Sequence, residues 1–103
     1  MAQQSKNHAL GLIEAGGYGT AISAADAALK AANVSILRME PTIGSGGSLS
    51  VTVYLGGEVA AVLAAVAAGE TEGRRIGNIV STDVIPNLDA GVQTGMFHGS
   101  LEL

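Results

Sequence analysis

The chain of 103 residues contains no cysteine and no tryptophan, and aromatic residues make up only 3% of it. Without cysteine there is no disulfide framework and no thiolate-bound metal. His8 and His98 lie near opposite ends of the sequence with no ligand cluster around them, so no metal site is expected. Cations are scarce: five Lys and Arg against nine Asp and Glu leave a formal charge of −4. That balance argues against nucleic acid as a partner, because binding its phosphates draws on clustered cations. Arg74-Arg75 is the only basic pair and reads as a solvated helix end. Long apolar runs are missing too. The longest, Val59 to Ala68, is about half of what a membrane-spanning helix needs, and "MAQQSKNHAL" lacks the apolar stretch of a secretion signal. A cytoplasmic protein without a membrane partner is the expectation.

What the sequence does have is small apolar residues. Hydrophobic side chains reach 48%, with alanine and glycine dominant. A core of such residues lets helices and sheets approach closely, and it leaves modest apolar area per residue, so oligomer contacts are expected to add stability. The length fits a single domain, with a core over residues 8–93 and a tail over 94–103.

Two segments follow one plan. In "HALGLIEAGGYGTAISAADAALKAANVSILRM" an apolar strand reaches Glu14 and Gly16-Gly17 turn the chain. A helix follows with Ile22, Ala25, Leu29 and Ala32 spaced by three and four, on one face. Asn33 sits at an expected C-cap, and Val34 to Met39 form the next strand. In "LSVTVYLGGEVAAVLAAVAAGETEGRRIGNIVSTDVI" the strand alternates, with Leu49, Val51, Val53 and Leu55 on one side and Ser50, Thr52 and Tyr54 on the other. Gly56-Gly57 are expected to break it, and Glu58 to place a charge in the first turn of a helix. Val59, Val62, Leu63 and Val66 make that helix's expected buried stripe. Gly69 and Gly73 should weaken its later half, by about 1 kcal/mol each relative to alanine. Glu70 and Arg74 are placed to pair across that half. Gly77 ends the helix, Ile79 to Ile85 form the last strand, and Pro86 stops it.

The order strand, helix, strand, strand, helix, strand gives an α+β, ferredoxin-like βαββαβ sandwich: a four-stranded antiparallel sheet with both helices on one face. A short C-terminal helix is expected over Leu88 to Gln93.

"ALGLIE", "AADAALKAANV", "IGSG", "VTVYLGGEVAAV" and "DVIP" occur in the order and approximate spacing of the bacterial microcompartment shell domain. The chain resembles that family from about Ala9 to Pro86, in its single-domain, hexamer-forming type. The resemblance implies a non-enzymatic structural protein without cofactors: a cyclic homohexamer that tiles a shell together with neighbouring hexamers and other shell proteins, around encapsulated enzymes. It places the segment at Ile43-Gly44-Ser45-Gly46 on the six-fold axis, lining a pore. It places Lys30 at the hexamer edge against its symmetry mate. Asn87 stands where the family often has an edge arginine, and asparagine lacks the charged fork that grips carbonyls and carboxylates.

The stretch "TIGSGGSLS" fits a pore physically. Six converging loops need small side chains, glycine lets the backbone approach closely, and exposed N–H groups with the Ser45 hydroxyl can offer hydrogen bonds to a small polar solute. Four residues, Gly47 to Ser50, separate "GSG" from the following strand where the family commonly has about one, so a longer, more flexible loop is expected. Its lining residues would be Gly44, Ser45, Gly46, Gly47 and Ser48. A plain glycine-rich hairpin turn is the competing reading. A phosphate loop is not, since its lysine and following helix are missing. Glu14 and Asp26 have no partner at catalytic spacing, and no catalytic set is visible. The alternative for the whole chain is a small trimeric ferredoxin-like regulator that binds a metabolite or nucleotide.

Overall fold

The computed structural model describes residues 8–86, apart from the side chain of Ser45. The elements run β1 (His8–Ala15), α1 (Tyr18–Ala31), β2 (Ser35–Ile43), β3 (Leu49–Glu58), α2 (Val59–Ile76) and β4 (Ile79–Pro86). They form one four-stranded sheet in the order β2-β3-β1-β4 with every neighbouring pair antiparallel, which is the expected ferredoxin-like arrangement. The C-terminal helix expected over 88–93, Asn87, the tail over 94–103 and His98 all lie outside the described residues.

The period of two in β3 decides its two faces. Val51, Val53 and Leu55 are fully buried and meet Ala9, Ile13 and Ala15 of β1 beneath the helices. The helices contribute Ala21, Ala24, Ala25 and Ala28 from α1 and Val62, Ala65 and Val66 from α2. The largest fully buried side chains are only Leu10, Ile13, Leu55, Val51, Val53 and Val62. Each supplies about 1.5–3 kcal/mol on burial, so the core is thin for a chain of this length.

Several local expectations are corrected. The stripe on α1 is split: Ala25 is buried, whereas Ile22 is 56% and Leu29 is 47% exposed. The two helices also lie very close together. A Cβ added to Gly69 of α2 would lie 2.9 Å from the backbone oxygen of Ala24 and 2.6 Å from Cδ1 of Ile13. At that point the two helices leave no room for a side chain larger than glycine at 69 without a shift of a neighbour. Gly69 therefore makes room for α1 at the propensity cost of a helical glycine. Leu63 is exposed and does not belong to the buried stripe of α2.

α1 ends at Ala31 with Ala32, not Asn33, at the cap position. Gly56-Gly57 do not interrupt β3, because β1 continues to pair with it through Ala9↔Gly57 and His8↔Glu58. Glu58 is the residue before the first turn of α2 and makes no side-chain cap bond. Arg74 pairs with Glu70 at 2.9 Å as expected. Gly77 caps α2 with its N–H donating to the Gly73 carbonyl at 2.9 Å.

Candidate functional site

The β2–β3 hairpin is the element that carries the candidate loop. Its ladder includes the pairs Pro41↔Val51, Thr42↔Ser50 and Ile43↔Leu49. The β1–β3 ladder stops at Ala15↔Val51. The last two rungs of the hairpin therefore extend beyond β1 as a two-stranded arm. Burial follows this geometry: Val51 is fully buried, while Leu49, two residues on and on the same side, is 37% exposed, and Ile43 opposite it is 65% exposed.

The loop proper is short. Leu49 and Ser50 belong to the ladder, and Gly44 to Ser48 close the hairpin around a 3-10 turn at Ser45–Gly47. The Gly44 N–H donates to the Ser48 carbonyl at 2.7 Å and the Gly47 N–H donates to the Gly44 carbonyl at 3.0 Å. This is an internally bonded turn. It also removes two of the backbone donors that were expected to face a solute. Gly46 and Gly47 take φ of 78° and 84°, a region that side chains with a Cβ disfavour. Gly44 is different. Its φ is −84°, and a Cβ there would meet only the Ser48 oxygen at 3.7 Å, so neither conformation nor space within one chain requires glycine at 44. Ser48 is exposed with ordinary extended backbone. The side chain of Ser45 lies outside the described part of the structure.

Lys30 stands in the last turn of α1, in an open cleft of ≈ 500 Å³ lined by Ile22, Ser23, Asp26, Ala27 and Glu72. Its Nζ is 3.0 Å from Asp26, four residues earlier, and both side chains are largely exposed. Asp26 is thus a surface ion-pair partner. Glu72 in the same cleft is held below the usual carboxylate range, chiefly by its hydrogen bond to Arg75.

On the face away from the helices, Leu10 is covered by Leu12, Leu37 and Tyr54, the last two brought together by a register shift in β2 between Ile36 and Arg38. Next to this patch the Tyr54 hydroxyl donates to Glu40 at 3.1 Å, and Arg38 reaches the other Glu40 oxygen at 3.4 Å. Burial, then the bond to Glu40 and its charge, raise the Tyr54 phenol above its ordinary value. Arg38 Nε is buried and has no hydrogen-bond partner. Glu14 accepts from Ser81 at 3.3 Å. This network was not singled out from the sequence; the alternation Arg38, Glu40 opposite Tyr54, Thr52 was the available signal.

Among the described residues no group of His, Asp and Glu is arranged to hold a metal ion, and no helix is long and apolar enough to cross a membrane.

The chain is thus a βαββαβ sandwich that projects an uncharged glycine-rich hairpin and shows exposed apolar side chains on its helix layer. The chain belongs to the BMC domain family of bacterial microcompartment shell proteins, whose domain matches residues 9–88. The shell protein PduA of Citrobacter freundii is 42% identical over 88 residues, covering 85% of this chain and 90% of the relative. The carboxysome shell protein CcmK2 of Thermosynechococcus vestitus is 43% identical over 79 residues, covering 75% of this chain and 74% of the relative. A solved microcompartment protein from Desulfitobacterium hafniense superposes with a TM-score of 0.75 at 33% identity over 88% of this chain. The match spans 47% of that protein, so this chain corresponds to about half its length.

Proposed function

We propose that this chain is a structural, non-enzymatic subunit that closes into a cyclic homohexamer, tiles microcompartment facets with neighbouring hexamers and other shell proteins, and passes small metabolites through a central pore. The observation that carries this reading is the projecting arm. It extends past the subunit's own core, bears no charge, and has glycine at 44 where the single chain does not require it. Convergence of six copies on one axis supplies the missing reason, since a side chain there would meet its own symmetry mates. Gly44, Ser45, Gly46, Gly47 and Ser48 would line the pore. The exposed Ile22, Leu29 and Leu63 fit the same reading, because a thin core gains from burying them between subunits. Lys30 and Asn87 would meet neighbouring tiles. The arrangement slows escape of an enclosed intermediate while substrates and products of the encapsulated enzymes cross at the axis.

Native mass spectrometry of the purified chain followed by electron microscopy tests this. A hexamer that forms rings is the expected result; a trimer or monomer would return the chain to the metabolite-binding alternative. Within the hexamer, Ser45→Leu is expected to change solute passage and leave the ring intact. Loss of the ring in Ser45→Leu would make the loop a packing element.

A further inference from the structure

Three features of the arm bear on what could pass it. From Pro41 through Gly57 the sequence has no Asp, Glu, Lys, Arg or His. The Gly44 and Gly47 N–H groups are accepted inside the turn, by Ser48 and Gly44 carbonyls. Directly behind the turn, Ile43 and Leu49 face each other across the ladder on the helix side of the sheet, 65% and 37% exposed. The nearest ionised side chain along the arm is Glu40, opposite Thr52 and so three residues further back on β2, and it already accepts from Tyr54 and Arg38.

An ion entering a narrow passage sheds part of its hydration shell, and that is costly unless oriented dipoles or opposite charges replace it. Selective filters supply such rings of carbonyls or charged side chains. This arm has spent two of its backbone donors on itself and presents an isoleucine–leucine rung behind them. Resting on the pore reading given above, we infer that six Ile43–Leu49 pairs form an apolar collar under the loop ring, and that the passage selects small uncharged solutes while holding out both anions and cations. The serine hydroxyls of the loop assist such solutes, since a hydroxyl offers one donor and two acceptor sites without charge. The overall charge alone gives a different outcome: about −24 over six chains repels anions but attracts cations.

The absence of native cysteine permits a direct test. Ser48→Cys, at an exposed residue with extended backbone, introduces a unique thiol beside the collar. Ala64→Cys, exposed on a charge-free turn of α2, is the reference. Each hexamer, checked by native mass, is treated with neutral, anionic and cationic methanethiosulfonates of similar size, and modification rates are read by intact mass. The expected result is that both charged reagents, relative to the neutral one, react about tenfold more slowly at 48 than at 64. Adding Ile43→Lys should restore the anionic reagent. Equal charged-to-neutral ratios at the two positions would overturn the collar. Suppression of the anion with acceleration of the cation would also overturn it, leaving net charge as the selector. The pore reading fails separately: if mild oxidation does not cross-link thiols at 48 between subunits of an intact hexamer, the loop is not at the axis.

Discussion

Tyr54 shows how much one side chain carries on the face without helices. It covers Leu10 and donates to Glu40, so its ring and its hydroxyl serve different partners. Tyr54→Phe keeps the ring and leaves Glu40 with one donor fewer, at an expected cost of about 1 kcal/mol near neutral pH. The pH dependence follows from the raised phenol. Folding favours the protonated form, so this contribution is fully present below the ordinary tyrosine value of 10.0 and is lost as pH rises through the raised value. Urea titrations of the two proteins at pH 7 and pH 11 should therefore show the gap between them narrowing with pH. A gap that widened would mean the phenolate, not the phenol, is the favoured form in the fold.

Among the elements, the helix pair is held at a separation that Gly69 permits. Gly69→Ala gains about 1 kcal/mol of helix propensity, but its Cβ runs into the Ala24 carbonyl, a backbone atom that moves only if α1 moves. Overpacking of this kind costs about 1–3 kcal/mol, so the variant is expected to be less stable on chemical denaturation. A stabilised Gly69→Ala would show that α1 slides freely on α2. Not all of the helix layer could be read from sequence. Element order, sheet class and the two faces of β3 were legible, because Val51, Val53 and Leu55 alternate with Ser50, Thr52 and Tyr54 in a way only a half-buried strand explains. The outward faces of α1 and α2 were not. In an alanine-rich helix both faces are apolar, so a three-and-four spacing finds Ile22, Leu29 and Leu63 without saying which of them the core takes in. The hairpin was partly legible: "GSGG" announced a turn, but the extra rungs at Thr42↔Ser50 and Ile43↔Leu49, which set where the loop begins, depend on cross-strand register. The internal bonds of Gly44 and Gly47 depend on it too.

At the scale of the whole molecule, the proposed assembly requires contacts that let one ring join another. Lys30 is 76% exposed and its pairing with Asp26 is worth only about 0.3–0.5 kcal/mol for a helix-surface ion pair, so in the proposed assembly little would be lost if the ammonium turned to acceptors on a neighbouring tile. Lys30→Ala is accordingly expected to keep subunit stability within about 0.5 kcal/mol and to keep the hexamer by native mass, while sheets seen by electron microscopy disappear. Sheets of undiminished extent in Lys30→Ala would remove Lys30 from the edge. Asn87 provides the complementary gain. An amide there offers two donors and no charge, whereas a guanidinium offers five donors in a rigid, permanently charged fork. Across an edge where each contact recurs by symmetry, even a small increment per subunit is multiplied along the sheet. Asn87→Arg should therefore lower the protein concentration at which sheets appear, and the double variant Lys30→Ala, Asn87→Arg should recover part of the loss. If Asn87→Arg left that threshold unchanged, the edge would be built from other residues, and the exposed Ile22 and Leu29 beside Lys30 on α1 would be the next to replace.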